Sequence, residues 1–598
     1  MQQPVHNYYN SNIDDLELVI KKIRKKISYF YFIRLIVFII FIVFFILFFK
    51  HNNYLFLCIS FSNLLLFLYV LKQNLSIVYK EKVLSNKLAI NKNELKYLEH
   101  NYHDKNSGQE YNYINPHLSA DFEIFGNGSL FQYLNRCSTI IGKNKFAENL
   151  CKSELDAVVI KTKQEAISEL SLKNEFTQNF QSYGMLISED GNELSSLNLW
   201  LNETAEKLKV LQILAYAMPL IFIANLTLAI IGVFSFNALI LPMLCNLLII
   251  YFNKQKISKT HLKLGRTAKT FEKYSTLIKL IENEDFKSSY LVNLKQQLSN
   301  RNIKASKSLS KLFNLLNSFD TRYNVFVWLI LNSLFIFDIQ IYCRLAKWKE
   351  KHKTVIDSWF NTLSEIDKLI CFSVYAFNNQ SHISYPEISE KEFAFEATYI
   401  SHPLIHPKIR ISNNISFSGK PTVIIITGAN MAGKSTFLRT LSINLILAMN
   451  GAPVCAKNLV FSPCDIMSSI KIQDSLSNNE SYFYAELIRL KEIINNVKNN
   501  PKTFVILDEI LRGTNTKDKQ LGSLGLLEKL ISQKSIVIIA THDLTIGELE
   551  KKYPNIVKNY CFEVDLTNDQ LIFDYKLNKG ISTKLNASFL MKKMEIID

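Results

Sequence analysis

No C-x-x-C pair occurs among the nine cysteines of this 598-residue chain, which lie scattered from Cys58 to Cys561. That spacing argues against a structural zinc, an iron–sulfur cluster or a disulfide framework, and it fits a reducing compartment. No low-complexity linker interrupts the chain, and no internal repeat is found beyond two apolar hairpins. Acidic residues are in short supply: 53 of them face 69 lysines and arginines, a formal net charge of +16 with a pI near 9.1. The surplus points to an anionic partner, either nucleic acid or a negatively charged membrane surface. Disorder is excluded as the default by a hydrophobic fraction of 48% and an aromatic fraction of 12%, ample for several domains with cores.

What the chain does have is a complete G-x-x-x-x-G-K-[ST] phosphate loop, Gly428-Ala429-Asn430-Met431-Ala432-Gly433-Lys434-Ser435. It follows the apolar run Val423 to Thr427, which reads as a buried strand, and Thr436 to Leu441 continues as a helix. Glycines let the backbone wrap phosphates so that consecutive amides and the helix N-terminus point at negative charge. Lys434 is then expected to reach the β and γ phosphates of a nucleoside triphosphate, and Ser435 to offer its hydroxyl to Mg2+. Thr503 to Glu509 is a second apolar strand, ending in two carboxylates. Asp508 is assigned to the metal and Glu509 to the attacking water. Ser535 to Asp543 is a third strand, and His542 at its end is expected to sense the γ phosphate.

Long apolar runs are the other feature. Tyr29 to Phe49 carries only Arg34 as a charge, and after Lys50-His51-Asn52-Asn53 the uncharged run Tyr54 to Leu71 follows. Each is long enough to cross a bilayer, and together they read as a transmembrane helical hairpin. A cleaved signal peptide is disfavoured, because no small-residue site follows and a second run arrives at once. Residues 210 to 252 repeat the design around a Ser235-Phe236-Asn237 turn. Lys21 to Lys26 before the first hairpin, and Lys254, Lys256 and Lys259 after the second, place both flanks and both termini in the cytoplasm. A further run, Val325 to Phe337, is only 13 residues long. A fifth crossing would strand the phosphate loop away from ATP, so this run is read as a buried helix of the soluble part.

The expected organisation is a basic cytoplasmic tail over 1–28, a first hairpin over 29–71, a helical core region over 72–209 and a second hairpin over 210–252. A helical return over 253–391 and a C-terminal α/β P-loop ATPase domain over 392–598 complete it. The fold class is therefore an α/β P-loop ATPase domain joined to a mostly α-helical core or lever region, with two transmembrane helical hairpins. Pro386-Glu387-Ile388 and His402-Pro403-Leu404 mark the entry into the α/β part.

Taken together, these motifs resemble the MutS family of DNA mismatch-repair ATPases. Thr427 to Thr440, TGANMAGKSTFLRT, is similar to that family's phosphate loop, with Asn430 and Met431 as family marks. Asp508 to Thr516 resembles its Walker B strand and continuation, and Ala540-Thr541-His542 its switch histidine. Asp474 to Leu487 is similar to its trans-acting signature loop, with Ser481 matching the serine that reaches the partner subunit's ATP. Tyr575 to Leu577, Gly580 and a helix over Asn586 to Met594 extend the likeness to roughly 395–596, and a weaker one covers Phe125 to Gly142, including Asn135-Arg136. The resemblance implies ATP and Mg2+ as ligands, pairing of two ATPase domains in a homodimer, and DNA as a partner. Nothing at the N-terminus resembles the mismatch-reading domain; a membrane hairpin stands there instead. Arg410 and Ile411 fall where the family places an aromatic beside adenine, so Ile411 is a candidate nucleotide contact and any stacking would use the guanidinium. Two alternatives stay open: an ABC-type transport ATPase, suggested by four spans and Leu476 to Glu480, and a tethering module switched by nucleotide.

Overall fold

The computed structural model describes residues 3–189, 191–203, 208–300, 303–429, 431–471, 482–567 and 570–582. Its first two helices, α1 (Gln3–His51) and α2 (Tyr54–Leu98), form an antiparallel hairpin. Asn53 makes the turn by accepting a hydrogen bond from the Leu55 amide, a side-chain N-cap. With 49 residues α1 is about 74 Å long at 1.5 Å per residue, more than twice the thickness of a bilayer's hydrocarbon core. Residues 3–28 of the basic segment and the first apolar run are thus one uninterrupted helix. The apolar halves face outward, with Phe32, Ile39, Ile46, Leu55 and Leu65 exposed. The polar halves are laced together by Arg24–Glu81 and Lys92–Glu17 pairs.

A helical core follows: α3 (Pro116–Phe122), α4 (Leu130–Leu134), α5 (Ile140–Cys151), α6 (Ala157–Leu172), α7 (Asn174–Gly184) and α8 (Asn192–Asn202). The second hairpin is α9 (Lys209–Ile230) and α10 (Ile240–Leu264), whose turn is capped by Ser235 accepting from the Asn237 amide. The chain returns through α11 (Ala268–Asn283), α12 (Ser289–Gln297), the two-residue strands β1 (Ser299–Asn300) and β2 (Ile303–Lys304), and α13 (Ala305–Phe319). After α14 (Val325–Phe335) and α15 (Phe337–His352) comes α16 (Ile356–Asn378), buried along nearly its whole length at the centre of the core. Four helical segments among the described residues are long and apolar enough to cross a membrane: α1, α2, α9 and 236–264.

The run Val325 to Phe337 does not form the buried helix expected from the sequence. Val325, Phe326 and Ile330 are 70%, 80% and 57% exposed, and α14 bends by 80° into α15 at Ile336, whose φ of 44° is left-handed. Eleven residues span about 16 Å, too short to cross, yet the helix is apolar on nearly every side. It packs against the second hairpin, where the buried Asn246 side chain donates to the Ser333 carbonyl at 2.7 Å. An apolar sequence does not distinguish cover by protein from cover by lipid, and here the helix shares the hairpin's outward-facing surface.

The C-terminal part carries two sheets. A four-stranded sheet, ordered β3 (Glu387–Ile388), β7 (Asn458–Phe461), β4 (Ala394–Ile400), β5 (Asn413–Ser418), forms its outer wall. The six-stranded sheet runs β12 (Gln570–Lys579), β11 (Val557–Thr567), β6 (Thr422–Gly428), β10 (Ile536–Thr541), β9 (Thr503–Asp508), β8 (Asp465–Ser469). All its neighbours are parallel except the β11–β12 edge pair. Strands β6, β9 and β10 are buried at every position, as continuous apolar runs between two covered faces must be. Helix α17 (Lys434–Met449) covers one face and docks the sheet onto the helical core, while α18 (Tyr482–Asn499) and α19 (Thr516–Ser532) cover the other. The docking is close: a Cβ on Gly451, just past α17, would lie 2.7 Å from the Lys163 Cβ on α6.

Candidate functional site

The C-terminal ends of β6, β9 and β10 lie side by side, and the loops leaving them converge on one point. Strand β6 ends at Gly428, where a Cβ would sit 2.7 Å from the Phe562 carbonyl, so the chain can leave the sheet here only without a side chain. Gly433, at φ 99°, turns the loop into the N-terminus of α17. Lys434 folds back over this loop, donating to the Gly428 carbonyl at 2.6 Å and the Ala429 carbonyl at 2.9 Å. Burial pushes its pKa down, opposed by Glu509 and Asp508. Met431 stands exposed at the loop's crest and Ala432 is buried beneath it.

Ser435 donates its hydroxyl to Asp508 Oδ2 at 2.5 Å, while Asp508 Oδ1 is buried with no hydrogen-bond partner. Burial raises the Asp508 pKa, against the Ser435 hydrogen bond. A buried carboxylate oxygen with nothing to bind, beside a serine hydroxyl, fits a divalent cation. Glu509 follows in a left-handed backbone conformation, φ 45°, its amide held by the Ala540 carbonyl at 2.9 Å. That turn aims its carboxylate at the loop. There Lys434 lies at 3.8 Å, Arg512 at 3.2 Å and His542 Nδ1 at 3.5 Å.

The loop opens into a cavity of about 470 Å3. Gly433, Lys434, Ser435, Thr436 and Glu509 line one end, and Ile400, Ile405, Ile409, Arg410 and Ile411 line the other. Ile411 therefore shares a cavity with the phosphate loop. Asn430 and Ser481, with most of the stretch 474–487 and the helix expected over 586–594, fall outside the described residues. Sequence reasoning did not single out Tyr575, His402 or Arg512 as site residues. Tyr575 comes from the edge strand β12, lines the cavity and packs against Gly433, where a Cβ would lie 3.0 Å from its ring. A lone aromatic on an edge strand carries no motif; only the β12–β11–β6 register brings it to the loop.

Two histidines near this cavity make stability depend on pH. His402, buried beside Arg439 and Glu123, has its pKa pushed down to about 4 by burial, with Arg439 adding and Glu123 opposing. His100 is likewise lowered to about 4 by burial, with His406 and Arg410 contributing. An unfolded histidine titrates near 6.5, so below that pH the unfolded chain takes up protons that the native state refuses. The stability is whole above about pH 6.5 and is lost as pH falls toward 4. The thermal midpoint should drop between pH 7.5 and 5, less steeply in His402→Gln; a midpoint flat over that range would refute the neutral histidines.

A parallel sheet with a phosphate loop after one strand, adjacent carboxylates after a second and a histidine after a third defines a P-loop nucleoside triphosphatase. Residues 424–594 match the family model for MutS domain V. Over 266 residues the chain is 29% identical to MutS protein homolog 4 of Mus musculus, covering 43% of this chain and 27% of that protein. Over 250 residues it is 32% identical to the DNA mismatch repair protein MutS of Ehrlichia ruminantium (strain Welgevonden), covering 41% and 30%. Over 242 residues it is 31% identical to that of Clostridium kluyveri (strain NBRC 12016), covering 39% and 27%. Residues 424–594 are thereby identified as a MutS domain V. The chain spans less than a third of the length of these relatives.

Proposed function

We propose that this protein is a membrane-anchored MutS-type ATPase. On this reading it binds ATP with Mg2+, pairs with a second copy through its ATPase domain, hydrolyses the nucleotide and couples that cycle to DNA. The observation that carries the reading is the meeting of Lys434, Ser435 and Glu509 in the wall of one cavity, with Asp508 bonded to Ser435 and His542 beside Glu509. The exposed apolar halves of α1 and α2, with α9 and α10, support the anchor, and the lysines flanking the two hairpins support a cytoplasmic position for both termini. The likeness to DNA mismatch repair proteins supports DNA as the partner.

The chemistry follows from the geometry. The loop amides of 429–435 and the N-terminus of α17 hold the phosphates. Lys434 exchanges its two carbonyl acceptors for phosphate oxygens, and the cavity wall at Ile409, Ile411 and Tyr575 takes the base. Ser435 and Asp508 would hold Mg2+, which neutralises charge on the phosphate oxygens. Glu509 accepts a proton from the water that attacks the γ phosphorus in line, and His542, within reach of the same carboxylate, registers the departing phosphate. Ser481 of one copy, on the family's pattern, completes the site of the other.

The test is the ATPase rate of detergent-purified protein with homoduplex, mismatched and branched DNA at two salt concentrations. A DNA-dependent change in rate, weakening at higher salt, is the expected result. A rate indifferent to every DNA would remove DNA from the reading and leave a MutS-type engine coupled to a membrane task. General or branched DNA is expected to outcompete a mismatch, because no segment resembles the mismatch-reading domain.

A further inference from the structure

A second cavity, of about 1130 Å3, opens at the base of the α9–α10 hairpin. Six lysines line it: Lys209 at the start of α9, Lys256 and Lys259 on α10, and Lys347, Lys349 and Lys353 on and just after α15. Only Glu203 and Glu350 oppose them among its described lining residues. Its position in the fold is specific. Val210, directly after Lys209, is 68% exposed, and Tyr251 and Phe252, just before Lys256, are 70% and 80% exposed. On both arms, therefore, the outward surface changes from apolar to cationic at the level of this cavity. Trp200 and Tyr342 stand in its wall, aromatic residues of the kind that favour the boundary between membrane and water.

We propose that this cavity binds the phosphate-bearing headgroup of an anionic phospholipid, whose acyl chains lie along the outward faces of α9, α10 and α14. The inference rests on the membrane reading of the hairpins. An ammonium cluster favours a phosphate that brings net negative charge, and it repels the choline of a zwitterionic lipid. Lys349 is tied to the cavity floor, donating to the Trp200 carbonyl at 2.5 Å and the Glu203 carbonyl at 3.0 Å. Burial lowers its pKa, Glu203 opposes the shift, and Lys353 and Lys263 add to it, a crowding of cations that an incoming anion relieves. The bend at Ile336 matters here, because it sets α15, with two of the lysines and Lys353 just after it, beneath the apolar α14.

The experiment uses the full chain in a nonionic detergent and reads apparent affinity from thermal midpoints. The probes are dihexanoyl-phosphatidylglycerol, dihexanoyl-phosphatidylcholine and inorganic phosphate. Stabilisation by phosphatidylglycerol well above that by phosphatidylcholine is expected. It should weaken about a hundredfold in the triple variant Lys256→Gln, Lys259→Gln, Lys353→Gln, at the usual worth of a lysine near an anionic surface. Glu350→Gln should tighten it about fivefold on the same scale, a gain that misfolding does not produce. Equal responses to the two lipids, an undiminished response in the triple variant, or an equal effect of inorganic phosphate at the same concentration would overturn the proposal. Extraction of wild-type protein from membranes by alkaline carbonate separates the two failures. A protein that washes off ends the membrane reading itself, whereas one that stays but ignores lipid charge ends only this inference.

Discussion

Glu509→Gln should lower single-turnover ATP hydrolysis by about a thousandfold, within the range that a general base contributes, while nucleotide binding is retained. The basis is the charge around that carboxylate. Its side chain is 14% exposed and faces Lys434, Arg512 and the His542 ring within 4 Å, so it is an anion held between two cations, Lys434 and Arg512. A γ phosphate entering the cavity competes for those cations, and the glutamate is then free to turn to water. Glutamine keeps the shape, removes the proton acceptor and leaves every phosphate donor in place. Lys434→Ala should behave differently, losing both turnover and affinity, because it deletes the cation that reaches the phosphates. Titration with a fluorescent ATP analogue beside the single-turnover rate separates the two outcomes. A Glu509→Gln rate above a tenth of wild type would take Glu509 out of the water-activating role.

These residues were legible because a phosphate loop is a local object. Its spacing, the strand before it and the helix after it lie within one continuous stretch, 422–449, and β6 and α17 occupy the expected places. The carboxylates and the histidine are readable for a related reason: each ends a strand whose unbroken apolar character marks a doubly covered parallel sheet. The far wall of the cavity is different. Ile411 and Tyr575 are far apart in sequence, and the side chain of Asn413 bridges them by donating to the Tyr575 carbonyl at 3.0 Å. No pattern along the chain encodes such a meeting. The switch from charged to apolar near residue 28 suggests a boundary, yet α1 runs straight through it, because backbone hydrogen bonding is indifferent to which solvent covers the side chains. The same indifference explains α14, whose composition records a demand for apolar surroundings and not their source.

Removing Arg136 is the change expected to cost the fold most. Its guanidinium meets Glu94 through two hydrogen bonds of 3.0 Å, Nε to Oε1 and Nη2 to Oε2, with the two side chains only 6% and 5% exposed. It also lies 3.4 Å over the ring of Tyr97 and donates to the Tyr133 carbonyl. Burial works against the charge, but Glu94 and Tyr97 outweigh it, so the Arg136 pKa is raised. The network continues outward: Asn378 on α16 donates to Glu94 at 2.7 Å, and Tyr9 on α1 donates to Asn378 at 2.7 Å. One ion pair thus ties both arms of the first hairpin to the central helix of the core. Arg136→Leu leaves Glu94 charged, buried and without its partner, at a cost of about 3–5 kcal/mol. The thermal midpoint should fall by several degrees. Arg136→Leu with Glu94→Leu should recover most of that loss, since an apolar pair in the same space has no unpaired charge to hold. Loss of less than about 1 kcal/mol in the single variant, or no recovery in the double, would show that the pair does not hold the hairpin to the core. Nucleotide binding should survive in both, because the phosphate loop rests on β6 and α17, whose packing onto the core runs through α3, α5 and the approach of Gly451 to α6 rather than through Arg136.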